Sequence, residues 1–382
     1  MSQYLLDLFY SLESCLTCFQ DPSLSINRNK FKILKLIGEG GFSYVYLVQS
    51  QQSGELYALK KIRCPFGDES VKVALNEIEA YKRFDSKYVI RAVDSSIVQE
   101  KDGSKTIYIL LPYYKKGNLQ DKINAHLVNG TSYDETELVN LFHEICLGIK
   151  AIHNRHSSAG SAPNTTRYSL ESSGYARNNQ ALNSGDDDED DIIIGGGDDD
   201  ESEAQLLGNE EGNDTPMDTI VPYAHRDIKP ANIMLSSAAN TPILMDLGSC
   251  TRARLTLSTR QAALELQDLA AEHCTLPYRA PELFDVATGS SVDERVDIWS
   301  LGCTLFALMY GTSPFELQSA GSGASLNLAI LNGQYKFPDS PVYSEGLKDI
   351  VRKCLTVDKD QRPFIKEVIE DVEKLIGSGS RH

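Results

Sequence analysis

Eleven consecutive residues limit what this chain can be: His225-Arg226-Asp227-Ile228-Lys229-Pro230-Ala231-Asn232-Ile233-Met234-Leu235. An acid, a base and an amide stand at fixed intervals and an apolar run follows. Asp227 and Asn232 have the types and the spacing that a phosphoryl-transfer loop needs. Asp227 would accept or orient the proton of an attacking hydroxyl, and Asn232 would hold a metal ion through its amide oxygen. Lys229, between them, could neutralise the group in transfer. Ile233-Met234-Leu235 would bury on both sides of the loop and fix its polar residues. Asp246-Leu247-Gly248 follows at short range and could give a carboxylate to Mg2+. A solvated loop accounts for any one of these charges; it does not account for type and spacing together at five polar positions.

The string resembles the catalytic loop of the protein kinases, with Lys229 the type found in the Ser/Thr class. The resemblance runs from about Phe31 to Ile376 with one interruption. It implies an α+β, bilobal protein-kinase fold over 30–376, with a small β-rich N-lobe (30–111) and a larger helical C-lobe (112–376). Residues 1–29 form an N-terminal segment and 377–382 a tail.

Upstream residues fit that expectation. Phe31 begins an alternation of β-branched and aromatic residues around glycines, and 38–45 reads as a strand–turn–strand hairpin. Gly38 and Gly40 would let backbone amides approach phosphates; Ser43 replaces the third usual glycine. Lys60 lies one strand later, at the distance expected of the lysine that grips the α- and β-phosphates of ATP. Lys61 is adjacent, but alternation turns it to the other face. A helix is expected over 71–84, and Glu77, in preference to Glu79, is the expected ion-pair partner of Lys60. The apolar strand ending at Leu111 leads to a hinge at 112–114. Pro112 lacks an N–H, so Tyr114 would donate to adenine, with Val45, Ala58 and Met234 sandwiching the ring. Each of these is also an ordinary core residue type.

Residues 138–153 are strongly periodic, which predicts a helix. In a kinase the catalytic loop comes soon after. Here 157–220 intervene, rich in Ser, Asn, Gly and Asp, with acidic runs at 186–191 and 198–201. Sixteen Asp/Glu against two Arg give this stretch −14 of the chain's −17. Such a composition cannot bury enough apolar surface to offset chain entropy, so it is read as a disordered insertion that loops out. The remainder, near −3, shows no basic surface for nucleic acid at the level of net charge. An apolar share of 41% supports a sizeable core elsewhere.

In residues 1–20, Leu5, Leu8, Phe9, Leu12, Leu16 and Phe19 recur at helical spacing and put Cys15 and Cys18 on one face. Those cysteines are candidates for reversible S-acylation; two inert thiols on a packing helix is the other reading. Ser at position 2 excludes N-myristoylation. Eight scattered cysteines fit a reducing compartment. No run approaches membrane-spanning length, and no cleavable signal is visible.

After Asp246, Leu247 stands where kinases usually carry Phe, and an apolar residue satisfies the packing role. Apolar positions within 261–273 have a helical period. A helix in the activation segment resembles the numb-associated kinase family, as does Gly-Glu-Gly-Gly-Phe at 38–42. With the N-terminal cysteines, the finer resemblance is to that family's lipid-anchored branch, palmitoylated at the fungal vacuolar membrane. It implies Thr275 beside Asp227 and Lys229, or as a phosphosite, Glu282 paired with Arg362, and Asp297 bracing the catalytic loop. The expected activity is transfer of the ATP γ-phosphate to Ser/Thr of protein substrates, with Mg2+. The expected place is the cytoplasmic face of the vacuole or another endomembrane, or otherwise the cytoplasm, with a role in vacuole or Golgi traffic. The alternative is a pseudokinase-like scaffold recruiting basic partners through its acidic insertion. Against it, Lys60, Asp227, Asn232 and Asp246 are all present.

Overall fold

The computed structural model describes residues 23–40, 43–65, 68–100, 102–157, 171–172, 219–237, 240–323 and 325–379. The expected amphipathic helix with Cys15 and Cys18, the Gly41-Phe42 tip and most of the insertion lie outside them. Two compact units are present: Met1–Lys72 with Ala92–Tyr113 and Tyr168–Arg177, and Val73–Arg91 with Tyr114–Arg167 and Asn178–His382.

The first unit is built on one sheet. Its strands are β1 (Ser23–Ile26), β2 (Asn29–Gly40), β3 (Ser43–Ser50), β4 (Leu56–Cys64), β5 (Asp94–Gln99), β6 (Lys105–Pro112) and β8 (Glu171–Ser172), in the order β1-β2-β3-β4-β6-β5-β8. β6 runs between β4 and β5, and residues 106–111 are all buried. A strand covered on both faces is apolar without alternation, which explains its sequence. Ile26, Phe31, Val48, Leu59, Tyr108 and Leu110 form a core cluster. The ladders pair Val45 with both Gly38 and Lys60, and Lys60 with Ile109. Directly opposed residues share a face, so Val45, Ala58 and Lys60 lie on the side of the sheet away from Leu59 and Tyr108. Lys61 is on that other side, its Nζ 5.8 Å from the Tyr108 ring centroid.

The sheet begins at Ser23, within the stretch that the sequence reading set before the domain. β1 pairs with β2 from Ser23↔Lys32 to Ile26↔Asn29, and Ile26 is fully buried. Asn27 supplies a turn residue at φ 51° between the two strands.

The second unit is mostly helical. Helix α1 is Asp68–Arg83, a few residues earlier than expected. Val73–Arg91 belongs to this unit and not to the sheet unit, as the lobe boundary at 111 implied. Ile90 N–H donates to Leu244 O at 2.9 Å, which holds that stretch. α2 (Leu119–Asn129) starts with an Asn118/Asp121 capping box. Gly117 is required before it: φ is +72°, and a Cβ would stand 2.4 Å from Asp121 Oδ2. α3 (Glu135–His153) is capped by Asp134 and buries Leu138, Phe142, Ile145, Ile149 and Ile152 of the expected stripe, with Leu141 half-buried. α4 is Arg260–His273 and α5 is Arg295–Tyr310. α5 is buried on all sides, so it lacks a polar face; Trp299 stacks on Phe315 at 5.3 Å.

The two ends of the insertion meet. β7 (His156–Ser157) pairs antiparallel with β9 (Thr219–Ile220), and Val221 N–H donates to Arg155 O at 2.8 Å. A closed base lets a long segment interrupt the chain without separating α3 from the catalytic string, because closure entropy grows only with the logarithm of loop length. Among the described residues no helix is long and apolar enough to cross a membrane.

Candidate active site

Two short strands place the key polar groups. After the turn Pro230–Asn232, β11 (Ile233–Leu235) pairs antiparallel with β12 (Pro242–Leu244). Ile233 and Leu235 are buried and Met234 is half-buried. The register sets Ile233 against Leu244, so Asn232 and Met245 meet at the open end, with Met245 N–H donating to Asn232 O at 2.8 Å. Asp246 follows directly, in a left-handed conformation at φ 55°. Such strain in a non-glycine residue persists only where the surroundings enforce it.

Asp227 is the hub of the site. Its Oδ1 accepts from Thr275 N at 3.0 Å and Thr275 Oγ1 at 2.6 Å. Its Oδ2 accepts from Lys229 Nζ at 2.8 Å and Asn232 Nδ2 at 2.9 Å. Lys229 Nζ also donates to Thr275 Oγ1 at 2.6 Å. Four donors around a carboxylate that is only 10% exposed fix its rotamer and orientation. Asn232 spends its amide nitrogen on Asp227 O and Oδ2, which leaves Oδ1 with no donor among the described residues. An oxygen of that kind fits a hard cation such as Mg2+.

The loop backbone is braced from α5. Asp297, fully buried, accepts from His225 N at 2.7 Å and Arg226 N at 2.8 Å, and meets His153 Nε2 at 2.9 Å. Burial alone would push its carboxyl up; the hydrogen bond and field of His153, with those of His225, outweigh this and hold it below its ordinary 3.8. Arg226 is left-handed at φ 67°. His225 Nε2 lies 2.8 Å from Met245 O, and its Nδ1 accepts from Asp227 N at 3.3 Å. A carbonyl on one side and an N–H on the other hold the ring in one orientation.

Glu77 is buried on α1, whereas Glu79 is exposed and pairs with Lys82 at 3.4 Å. Glu77 and Asp246 converge on Gly248, whose missing Cβ would stand 3.5 Å from the first and 3.6 Å from Asp246 Oδ1. Leu247 is buried in the role set for the usual Phe. Lys60, Val45 and Ala58 share the sheet face described above. Gly38 and Gly40 end β2, and a Cβ on Gly40 would come 3.2 Å from Ser43 Oγ. Tyr114 begins the second unit after the hinge, half-buried.

In the activation segment, β13 (Thr251–Arg252) pairs with β10 (Tyr223–Ala224). α4 follows, capped by Thr259 Oγ1, which accepts from Ala262 N at 3.2 Å. It buries Ala262, Ala263, Leu266 and Ala270. Beyond Thr275, Glu282 and Arg362 form a bidentate pair at 2.8 and 3.1 Å. Arg362 is fully buried, and its other donors reach Thr356 O, Arg295 O and Val357 O. A cavity of about 430 Å3 lies beside Lys229 and Thr275, walled by Gln120, Pro277, Tyr278 and Glu316 among others.

Three contributors escaped sequence reading. Tyr81 donates to Glu77 Oε1 at 2.9 Å; its position four residues on, along the same helix face, was a usable signal. Ser249 Oγ donates to His225 O at 2.7 Å, and His153 bonds Asp297. Neither has a local sequence signal, because the partners are distant in the chain.

The protein kinase domain family matches residues 31–157 and 222–372, breaking where the insertion lies. The serine/threonine-protein kinase ENV7 of Saccharomyces cerevisiae is 40% identical over 98% of this chain and its own full length. The serine/threonine-protein kinase ppk13 of Schizosaccharomyces pombe is 35% identical over 93% of each chain. Human serine/threonine-protein kinase 16 is 31% identical over 92% of each. With a β-rich unit, a helical unit and the Asp227 constellation in place, the chain belongs to the protein kinase domain family, as a serine/threonine protein kinase of the branch that holds these relatives.

Proposed function

We propose that Asp227 orients and deprotonates a substrate hydroxyl, and that the reaction is transfer of the ATP γ-phosphate to Ser or Thr of a protein. The observation that carries this is the fourfold anchoring of Asp227 by Thr275, Lys229 and Asn232. The hydroxyl oxygen bonds to the γ-phosphorus, the bond to the bridging oxygen breaks, ADP leaves, and the hydroxyl proton passes to Asp227. Lys229 offsets charge on the group in transfer. Lys60 would hold the α- and β-phosphates, and backbone amides at Gly38 and Gly40 would cover them. Val45, Ala58 and Met234 pack on adenine, with Tyr114 N–H donating to it. Mg2+ held by Asn232 and Asp246 would neutralise phosphate charge. Incubation with ATP and a mixed protein substrate tests the reading: phosphoserine or phosphothreonine should form with wild type and not with Asp246→Ala.

The finer reading is that the enzyme is a numb-associated kinase anchored through acylated Cys15 and Cys18 to the vacuole or another endomembrane, acting in membrane traffic. Its support is the helical spacing of 1–20, α4 in the activation segment, and the state of the other thiols. The six described cysteines are all buried; burial pushes Cys250 and Cys274, for example, to about 12, which leaves little thiolate to acylate. Stable anchoring by two chains predicts that Cys15→Ser with Cys18→Ser moves the protein from the membrane pellet to the supernatant. Unchanged sedimentation of the double variant would reject the anchor.

A further inference from the structure

β2 carries an apolar edge past the point where β1 stops. β1 pairs with β2 only over Asn29 to Lys32. Beyond that, β3 lies on one side of β2, and among the described residues no strand lies on the other. The β2–β3 register shifts twice there, between Ile33 and Lys35 and between Leu36 and Gly38. Leu34 and Leu36 are 42% and 47% exposed. Leu36 stands opposite Tyr46, which in turn stands opposite Leu59. It therefore borders the core cluster and not the face that bears Lys60. The rings of Tyr44 and Tyr46, 6.5 Å apart, extend this surface. A strand edge of this kind is a ready docking surface, and proteins commonly cover it.

Direction, length and charge point to one occupant. β1 runs antiparallel to β2 with Ser23 opposite Lys32, so the chain before Ser23 is aimed along β2 toward 33–40. The apolar stripe of Leu5, Leu8, Leu12, Leu16 and Phe19 lies just ahead of it. A helix over 5–19 would be about 22 Å long, and the uncovered run 33–40 measures about 26 Å at about 3.3 Å per residue. Residues 1–22 hold Asp7, Glu13 and Asp21 and no Lys or Arg, whereas 28–35 hold Arg28, Lys30, Lys32 and Lys35 and no acid. Lys30 and Lys35 are exposed. An amphipathic helix that adsorbs to an anionic membrane carries Lys/Arg on its polar face, so this charge pattern favours the basic strand. We propose that residues 5–19 dock their apolar stripe on the β2 edge at Leu34 and Leu36, with Phe19 nearest Ile33 and with Asp7 and Glu13 drawn to the lysines. Three residues link the stripe to β1, and a link that short gives an effective concentration in the millimolar range. Docking steadies the strand that ends in Gly38 and Gly40. Cys15 and Cys18 stand outside the stripe, so a docked stripe leaves both thiols open to acylation. The proposal is independent of phosphotransfer.

The test uses the full-length chain without lipid. Amide hydrogen exchange is followed across β2, with β6 as the reference for an intact sheet. Leu8→Gln with Leu12→Gln and Leu16→Gln should quicken exchange at 33–37 by about tenfold and leave β6 unchanged. Leu34→Gln with Leu36→Gln should speed chymotrypsin cleavage at Phe9 and Phe19 by about the same factor, and combining the two sets should speed it no further. Carbodiimide should join Asp7 or Glu13 to Lys30 or Lys35 within one chain. Unchanged exchange at 33–37 in the stripe variant overturns the proposal. So does protection that appears only with anionic vesicles, since the membrane would then be the occupant. Protection lost on dilution, with cross-links between isotopically distinct chains, overturns it in favour of a second copy. If the Leu34/Leu36 variant alters exchange in β6, the stripe variant and the cross-links decide.

Discussion

Asp227 shows how much a single side chain can be determined by its neighbours. Donors from Lys229, Asn232 and Thr275 leave its carboxylate one orientation, so Asp227→Asn removes the proton acceptor and inverts the polarity toward those donors. Phosphotransfer at saturating ATP should fall by about 10²–10⁴, the usual contribution of a positioned general base. Arg362 is the structural counterpart, with every guanidinium N–H spent. Arg362→Ala would strand the Glu282 carboxylate and three carbonyls, at a cost of about 3–5 kcal/mol, the range for breaking a buried pair; the shift in denaturant midpoint measures it. Asp297 gives a pH dependence. Its carboxyl titrates lower in the folded chain than its ordinary 3.8, so its stabilising share is complete well above that value and is lost as pH falls through the depressed one. Asp297→Asn should therefore flatten the acid limb of the stability–pH profile while lowering stability at neutral pH. Asp227, Lys229, Asn232 and the Glu282–Arg362 pair were legible because each stands in a short string of fixed spacing. Tyr81, His153 and Ser249 were not, because their roles come from partners that only folding brings near.

Among the elements, α4 carries the clearest test of sequence periodicity. Of its periodic apolar positions 262, 263, 266, 269 and 270, all but Leu269 bury, and Leu269 stays exposed; Thr259 closes its first turn. Thr259→Ala should cost about 1 kcal/mol, as loss of a cap does. Leu266→Ala should cost about 2–5 kcal/mol, as a cavity in a packed face does. Chemical denaturation of both variants separates cap from packing. β1 was missed for an identifiable reason. Asn27 and the proline at 22 both signal a break, and a break ends a helix or turns a hairpin equally well. The turn conformation of Asn27, with its amide donating to Asp94 Oδ1 at 2.8 Å, is what selects the hairpin. β11 and β12 were legible only in part: their apolar character is plain, but the register that sets Asn232 against Met245 is a property of the ladder.

At the scale of the whole chain, charge and architecture separate. Most of the net charge sits in an insertion whose ends are zipped by β7 and β9, and the family match stops at 157 and resumes at 222. Composition made that interruption readable, because a stretch of Asp, Gly, Ser and Asn cannot form a core. The division into two units was readable as well, though Val73–Arg91 joins the helical unit because its contacts run to β12 and to Leu247, which no local pattern reveals. Ligand linkage tests the molecule as a whole. Mg2+–ATP at about a hundredfold over its Kd should stabilise the fold by about 2.7 kcal/mol, and Asp246→Ala should abolish most of that gain. The most direct measurement is single-turnover transfer of labelled γ-phosphate from ATP to protein Ser/Thr, wild type against Asp227→Asn. The account predicts rapid transfer by wild type and a variant slowed at least a hundredfold with nucleotide-induced stabilisation intact; equal transfer by the two proteins, or none by either, would contradict it.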